Sequence, residues 1–358
     1  MDRPHPQPPP GRAGRGRGDP LTTEPRCRPI APHLYQIVLP TPFPVGPVNV
    51  YLATGEPLTL VDTGPRTAET RAALETALAG LGYTLADIRR IIVTHAHADH
   101  YGLAATIVRE GGAEVWTHPR NRLVLADYRA ERQRRLAFYD AVLTQAGVPP
   151  RLRRAIRRSS HRMAPFAQAV PVARTLEEGD EVVLAGRPWR VLFTPGHAGG
   201  LICLYEPEQA LLLSNDHLLL KISSNPLVEP PPPGGGERRR ALVEYIASLE
   251  RTASLEVEVA WPGHGDPITD HRALIRQRLA FHEQRAGRLR TVLDAEGRTV
   301  YQIVQALFPR LDPLNTLLAV SEVIGHLEWL EVRGEVRRWR EGEVVRWGAV
   351  HAPPTAPA

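Results

Sequence analysis

The stretch VTHAHADHYG, residues 93–102, decides how the rest of the sequence is interpreted. Three histidines and one aspartate fall within six positions, directly after the apolar residues Ile91, Ile92 and Val93. The apolar run predicts a buried strand, and imidazoles and a carboxylate at its end are costly to desolvate unless something satisfies them. A divalent cation satisfies several such groups at once. The spacing therefore predicts a metal site at the end of a strand.

Other candidate ligands also follow apolar, strand-like runs. Because loops at strand ends present side chains from a rigid scaffold, these residues are expected to converge on the first cluster. Glycines next to two of them permit close approach of the backbone to ions or substrate. His217 neighbours one candidate but alternates to the other side of an extended chain, so it is excluded. The candidates are His197 after WRVLFT, Asp216 after ALLLSN and His264 after VEVAWPG.

The order of the predicted elements indicates two strand-rich halves, residues 31–119 and 172–267, with a helical insertion at about 120–170 between them. Two such halves predict a sheet-on-sheet core with helices outside, an αββα sandwich of the α/β class. Residues 1–30 are rich in Pro, Gly and Arg and predict a disordered leader, and residues 349–358 a disordered tail. The catalytic domain is predicted to span residues 31–279.

Residues 280–348 predict a small second domain. Its candidate elements are helices at 282–294, 299–307 and 315–331 and a hairpin in EVRRWREGEVVRW, which is the order of a winged-helix module. The third helix carries acidic residues on the face opposite its apolar stripe. An acidic face does not favour binding to the negatively charged phosphates of DNA. Packing against the catalytic core is therefore favoured over DNA binding. The acidic residues are Glu322, Glu328 and Glu331.

Composition limits the setting in which the protein works. The two cysteines, Cys27 and Cys203, provide no disulfide framework, since Cys27 lies in the predicted leader. No apolar run follows the N-terminal arginines as in a secretory signal, and none reaches the roughly 20 residues of a membrane span. A cytoplasmic protein without a membrane partner is predicted. The net charge of +5 comes almost entirely from arginine, since Lys221 is the only lysine. This indicates a general preference of the source genome for arginine rather than a nucleic-acid-binding surface.

Over about residues 31–275, the motifs HAHADH and VDTG (61–64) and the three later loops resemble the metallo-β-lactamase superfamily. The resemblance implies that one metal binds His95, His97 and His197. It implies that the other binds Asp99, His100 and His264, and that Asp216 bridges both. Asp62 is then expected to orient the motif loop, the alternative being an aspartate that closes a strand-to-turn corner. Asp99 and Asp62 are the predicted catalytic carboxylates.

The resemblance further implies a dinuclear hydrolase that uses a metal-bridging hydroxide. Zn²⁺ is the expected ion for both sites, and Fe or Mn is also compatible with the mixed nitrogen and oxygen ligands. The C-terminal segment resembles the branch of β-lactamase-like protein 2, which contains thioesterases and single-strand-preferring endoribonucleases. The leading hypothesis is hydrolysis of an ester or thioester of a small anionic substrate. RNA is the alternative substrate, and a winged-helix regulatory or sensor protein is the third hypothesis.

Arginines of the insertion are the remaining candidates for substrate contacts. Interleaved with apolar residues, most of them are predicted to form the solvated face of packed helices. Any that point inward would favour a phosphate-bearing substrate such as an acyl-coenzyme A, a carrier-protein thioester or RNA. The hairpin arginines Arg337, Arg338, Arg340 and Arg346 are a second candidate set. The insertion set is Arg132, Arg134, Arg135, Arg151, Arg153, Arg154, Arg157 and Arg158.

Overall fold

The computed structural model describes residues 26–232, 236–308 and 310–350. Most of the predicted leader and of the predicted tail therefore lies outside the described residues. The first strand, β1 (Arg26–Ala31), occupies the last positions of the predicted leader, so the ordered sheet begins earlier than composition indicated. This segment pairs antiparallel with its neighbour at the edge of a sheet, where Pro29 removes no essential ladder hydrogen bond.

The first sheet has seven strands in chain order. Its first four strands pair antiparallel and its last four pair parallel, so the fourth belongs to both sets. The parallel strands are short, and the two in the middle of the sheet, TLV and RIIV, are mostly apolar and buried, as expected for strands covered on both faces. After β1 they are β2 (Leu34–Leu39), β3 (Val48–Ala53), β4 (Thr59–Val61), β5 (Arg90–Val93), β6 (Glu114–Thr117) and β7 (Arg174–Thr175).

The second sheet has five strands, each next to its neighbours in the chain, and packs face to face on the first. Tyr51, Val61 and Ile92 of the first sheet form one apolar cluster with Trp189 and Leu204 of the second. This confirms the predicted sheet-on-sheet core. The strands are β8 (Glu181–Leu184), β9 (Arg187–Phe193), β10 (Ile202–Glu206), β11 (Leu211–Asn215) and β12 (Val259–Pro262).

Helices cover both outer faces of the sandwich, which completes the αββα arrangement. The first of them begins at Thr67, whose side chain accepts a hydrogen bond from the Thr70 amide at 3.0 Å, as an N-cap residue does. Up to the second sheet's last strand, the helices are α1 (Ala68–Gly80), α2 (Ala98–Tyr101), α3 (Ala104–Gly111), α4 (Arg122–Ala126), α5 (Tyr128–Gln145), α6 (Pro150–His161) and α7 (Ala241–Ala253). Helices α4 to α6 form the insertion, between β6 and β7.

The C-terminal unit contains three helices and a three-stranded sheet of order β13-β15-β14. Its first helix crosses the predicted boundary at residue 280 without a break, because the N-cap aspartate Asp270 already starts that helix at His271. The elements follow the predicted order, while any wider likeness to winged helices stays a prediction. They are α8 (His271–Val292), β13 (Arg298–Thr299), α9 (Val300–Leu307), α10 (Pro313–Val332), β14 (Val336–Glu341) and β15 (Val344–Ala349).

The C-terminal unit shares one apolar cluster with the insertion. Leu143 of α5 and Ile156 of α6 are buried together with Ile303 of α9 and Val320 of α10. The acidic face of α10 is also used within the chain. Glu322 lies 2.8 Å from Arg285, Glu328 binds Arg238, and Glu331 lies 2.9 Å from Arg240. Among the described residues no helix is long and apolar enough to pass through a bilayer.

Two histidines that are 44 positions apart in the sequence meet in the C-terminal unit. His282 Nδ1 lies 3.2 Å from His326 Nε2, and His326 Nδ1 donates to the carbonyl oxygen of Glu322 at 2.8 Å. Both side chains are buried. Burial lowers the pKa of His282 to about 3 and the pKa of His326 to about 4. Both imidazoles are therefore neutral in the folded protein near pH 7.

We expect this pair to make the protein labile to acid. In the unfolded chain the imidazoles titrate near pH 6.5, so below that pH the unfolded state binds more protons than the folded state. The free energy of unfolding should then decrease as the pH falls from about 6.5 towards 4.

His282→Asn keeps a polar group near the Nδ1 position and removes one titrating group. It should reduce the loss of unfolding free energy at pH 5 by about 2 kcal/mol. Urea denaturation at pH 7.5 and pH 5 measures the difference, with the exposed His161→Asn as control. Equal pH dependence in wild type and His282→Asn would contradict the expectation.

Candidate metal centre

The local structure of the motif aims its side chains in two directions. After β5 the chain bends at His95 and Ala96, and both His95 and His97 reach the same group of imidazoles. His97 is the N-cap residue of α2, with φ −92° and ψ 146°. Asp99 and His100 therefore lie in the first turn of a helix. Their side chains point in a different direction from those of His95 and His97.

The structure brings His95, His97 and His197 together. The Nδ1 atom of His97 lies 3.0 Å from His95 Nε2 and 3.0 Å from His197 Nε2. Burial, together with the neighbouring His197 imidazole, lowers the pKa of His97 to about 3, and burial holds the pKa of His95 well below its usual range. These imidazoles are therefore neutral, and their nitrogen lone pairs converge on a point where a cation would satisfy them.

A second group consists of Asp99, His100 and His264. Asp99 Oδ2 lies 3.4 Å from His264 Nε2 and 4.0 Å from His100 Nε2. His264 Nδ1 lies 2.7 Å from the carbonyl oxygen of Pro47, so Nδ1 carries the proton and Nε2 faces the group. Burial opposes the charge on Asp99, but the imidazoles of His100 and His264 outweigh it and lower the pKa of Asp99 to about 2.

Asp216 lies between the two groups. Its Oδ2 atom is 3.3 Å from His197 Nε2 and 3.9 Å from His95 Nε2, and it is 3.5 Å from His100 Nε2 and 3.7 Å from His264 Nε2. Burial would raise the pKa of Asp216, but His100 and His264 hold it well below its usual range. The ionised carboxylate therefore lies close to imidazole nitrogens of both groups.

Asp62 holds the motif loop in place. Its carboxylate accepts hydrogen bonds from the Thr94 amide at 2.9 Å, from the Thr94 hydroxyl at 2.7 Å and from His100 Nδ1 at 2.8 Å. The Thr94 hydroxyl in turn lies 3.1 Å from His95 Nδ1. Because both Nδ1 atoms are engaged in this way, His95 and His100 present Nε2 to the cluster. Both Asp62 oxygens are used by these bonds, so Asp62 is placed as a positioning residue.

Two residues of β3 clamp the loop that carries His264, and the sequence interpretation did not identify them. Asn49 Nδ2 donates to the carbonyl oxygens of Pro262 and Gly265, each at 2.9 Å, and the Tyr51 hydroxyl donates to Pro262 at 2.6 Å. All of this lies between the two sheets. An amide within the otherwise apolar strand VNVYLA was the signal that could have revealed the clamp.

Glycines next to the ligand loops are required by close contacts. A Cβ atom on Gly263 would lie 2.2 Å from Asp216 Oδ1 and 2.9 Å from His100 Cε1. Gly196 has φ +151°, and a Cβ atom there would lie 2.6 Å from the Tyr245 backbone. The expected close approach of backbone at these loops is therefore present. His217, by contrast, points away from the cluster, with Nε2 at 2.8 Å from the Thr252 hydroxyl.

A cavity of about 300 Å³ opens beside His97. Leu123 and Val124 of α4, Arg134 and Arg135 of α5, and the segment 229–232 contribute to its wall. The insertion therefore borders the candidate site, and two of its eight predicted arginines reach the cavity. None of the four hairpin arginines belongs to the described lining. Arg120 and Arg239 also line the cavity and were not singled out from the sequence.

The donor set fits divalent cations. Five imidazoles and two ionised carboxylates meet in one buried cluster, and neutral imidazole with carboxylate is a ligand combination that Zn²⁺ accepts. Several of their polar atoms have no hydrogen-bond partner in the described protein although they are buried, which is costly in the protein alone. These atoms are His100 Nε2, His197 Nδ1, His264 Nε2 and Asp216 Oδ1.

The fold and this cluster define a class of protein. Residues 43–264 match the family model described as the metallo-beta-lactamase superfamily, and residues 287–350 match the metallo-beta-lactamase-like C-terminal domain. The chain belongs to the metallo-β-lactamase superfamily. Membership together with the ligand cluster supports a metal-dependent hydrolase.

Individual relatives agree with this assignment. The chain is 36% identical over 310 residues to the probable metallo-hydrolase YqjP of Bacillus subtilis, covering 86% of this chain and 95% of the relative. It is 25% identical over 233 residues to a beta-lactamase-like protein 2 homolog of Caenorhabditis elegans, covering 64% of this chain and 60% of that protein. The crystal structure of a metallo-beta-lactamase family protein from Thermus thermophilus superimposes with a TM-score of 0.74 at 32% identity, covering 90% of this chain and 100% of that one.

Proposed function

We propose that the protein is a dinuclear metal-dependent hydrolase. One cation would be held by His95, His97 and His197 and the other by Asp99, His100 and His264. The observation that carries the proposal is the position of Asp216, whose single Oδ2 atom lies within 3.9 Å of an imidazole nitrogen from each of four ligands drawn from both groups. A carboxylate so placed is suited to bridge two ions.

Two such cations, when bound, activate water and polarise the bond under attack. Zn²⁺ is the proposed ion because imidazole nitrogens dominate the ligand set. The residues of the chain itself supply orientation. Asp62 and Thr94 fix the tautomers of His95 and His100, and the Pro47 carbonyl does the same for His264. Asp99 is an ionised carboxylate, because the neighbouring His100 and His264 hold the pKa of that carboxyl below its usual range.

The proposed substrate is an ester or thioester of a small anionic molecule. The cavity beside His97 is lined by four guanidinium groups and two carboxylates, an excess of positive charge that an anion would neutralise. Leu123, Val124 and the prolines of segment 229–232 provide apolar surface for an acyl group. We also propose a cytoplasmic location, in keeping with two free cysteines, of which Cys203 is buried between the second sheet and the helices that cover its outer face.

Metal analysis combined with a substrate panel tests the proposal. The purified protein is expected to contain about two equivalents of zinc, and removal by a chelator followed by Zn²⁺ addition should abolish and restore turnover. A short acyl thioester, a lactone and a single-stranded RNA oligonucleotide are then compared at full metal occupancy. Thioester turnover roughly ten times faster than RNA cleavage, or more, is expected. Preferred cleavage of RNA would assign the alternative, and absence of metal would overturn the proposal.

A further inference from the structure

Three of the four arginines at the cavity beside His97 are paired with carboxylates. Arg134 donates to Glu131 through Nε at 2.6 Å and through Nη2 at 2.9 Å. Arg135 donates to Glu131 at 3.0 Å and to Glu229 at 3.3 Å. Arg239 donates to Glu244 through Nε at 3.0 Å. These three guanidinium groups are therefore largely committed to holding the wall together.

Arg120 is the exception. Among the described residues, its shortest distance to a carboxylate oxygen is 3.8 Å, to Glu244. Its only side-chain hydrogen bond there is a long one, 3.4 Å, to the carbonyl oxygen of Gly199. The side chain is 44% exposed, and its guanidinium lies 4.9 Å from the centre of the Phe193 ring, which restrains it. Most of its donors are therefore available to a molecule in the cavity.

The position of Arg120 relative to the ligands is equally specific. Gly199, whose carbonyl oxygen accepts the hydrogen bond from Arg120, follows the proposed ligand His197 by two residues. The Gly199 amide donates to Glu229 at 2.9 Å. The ends of the Arg239 and Glu229 side chains also lie close against Gly199, on the side where a Cβ atom would be. A group bound by Arg120 would thus lie beside the metal ligands and within the same cavity.

Positive charge is crowded here. Burial, together with the neighbouring Arg120, lowers the pKa of Arg239 to about 10. Burial likewise lowers the pKa of Arg120, with Glu229 opposing the shift. Two guanidinium groups that disfavour each other's charge gain from an anion placed between or beside them.

We propose that Arg120 binds the anionic group of the substrate, a carboxylate or a phosphate, and so sets the preference of the active site for charged esters or thioesters. This inference rests on the proposed hydrolase function. The planar guanidinium offers two parallel donors that match either oxyanion. The anion can belong to the acyl part, as in a dicarboxylic monothioester, or to the leaving group, as in coenzyme A.

Matched thioesters separate these two sources. Adipoyl- and hexanoyl-N-acetylcysteamine share a neutral leaving group and differ in a terminal carboxylate, whereas hexanoyl-4'-phosphopantetheine and hexanoyl-pantetheine differ in one phosphate. For wild type, kcat/KM should favour the charged member of one pair. In Arg120→Gln that selectivity ratio should fall about ten- to a hundredfold, mainly through KM, as expected for a lost charge-assisted hydrogen bond. Arg120→Lys should recover part of the loss.

The exposed Arg122, two residues away and outside the cavity lining, supplies the control. Arg122→Gln should leave both ratios unchanged. Calorimetric titration with adipate and with coenzyme A provides a readout independent of turnover, and Arg120→Gln should weaken one of them by a similar factor. Selectivity and binding that do not differ between Arg120→Gln and wild type would overturn the inference. If no thioester is hydrolysed the proposed function fails, and the titration alone then decides on Arg120.

Discussion

Asp216→Asn is expected to reduce kcat/KM by roughly a thousandfold, which corresponds to about 4 kcal/mol of transition-state stabilisation. The substitution changes little in size, but it replaces an ionised oxygen that lies within 3.9 Å of four imidazole nitrogens. A neutral amide is a much poorer ligand for a divalent cation. Zinc content per chain, measured by elemental analysis after dialysis, should fall together with activity.

Asp266→Asn is a matched control for that experiment. Asp266 is exposed, follows the ligand His264 by two residues and contacts Lys221 at 2.8 Å. It should retain full metal content and turnover. Unchanged zinc content and turnover in Asp216→Asn, with a native circular dichroism spectrum, would contradict the bridging role of Asp216 and with it the dinuclear proposal.

Gly263→Ala is expected to lower activity about a hundredfold although it adds a single methyl group. The new Cβ atom would lie 2.2 Å from Asp216 Oδ1 and 2.9 Å from His100 Cε1, so at least one ligand must move. Overpacking of this kind costs about 1–3 kcal/mol of stability, while misplaced ligands lose affinity for the cation. Zinc titration of the apo protein and steady-state kinetics measure the two effects.

The comparison variant is Gly287→Ala in α8. A Cβ atom there would meet nothing closer than 4.0 Å, and alanine in a helix interior should stabilise the protein by up to about 1 kcal/mol. It should leave zinc affinity unchanged. If Gly263→Ala binds zinc and turns over substrate like Gly287→Ala, then the contact between Gly263 and Asp216 does not control the site.

The elements that are local in sequence could be predicted. Apolar runs ended by polar residues marked β5, β9, β11 and β12, and the motif placed Asp99 and His100 further round the turn, although the chain bends at His95 and Ala96 where an extended segment was expected. The sheet-on-sheet core followed from two strand-rich halves. These features depend on periodicity and on residue type, which a single sequence displays directly.

The features that were missed depend on contacts between distant segments. Asn49 and Pro262 are separated by 213 positions, and nothing in either neighbourhood indicates their hydrogen bond. The ion pair between Arg135 and Glu229, which are 94 positions apart, forms only when α5 and the segment 229–232 come together, and it is one of the pairings that leave Arg120 as the arginine of the cavity with the most available donors. The start of β1 was also missed, because a proline and arginine-rich edge strand lacks the composition of a buried one.

Both proposed ion sites draw ligands from each sheet of the sandwich. His95, His97, Asp99 and His100 follow a strand of the first sheet, while His197, Asp216 and His264 follow strands of the second. Metal binding at these sites and packing of the two sheets against each other are therefore thermodynamically linked. Each ion that binds should therefore raise the free energy needed to separate the two sheets at the edge that carries the site.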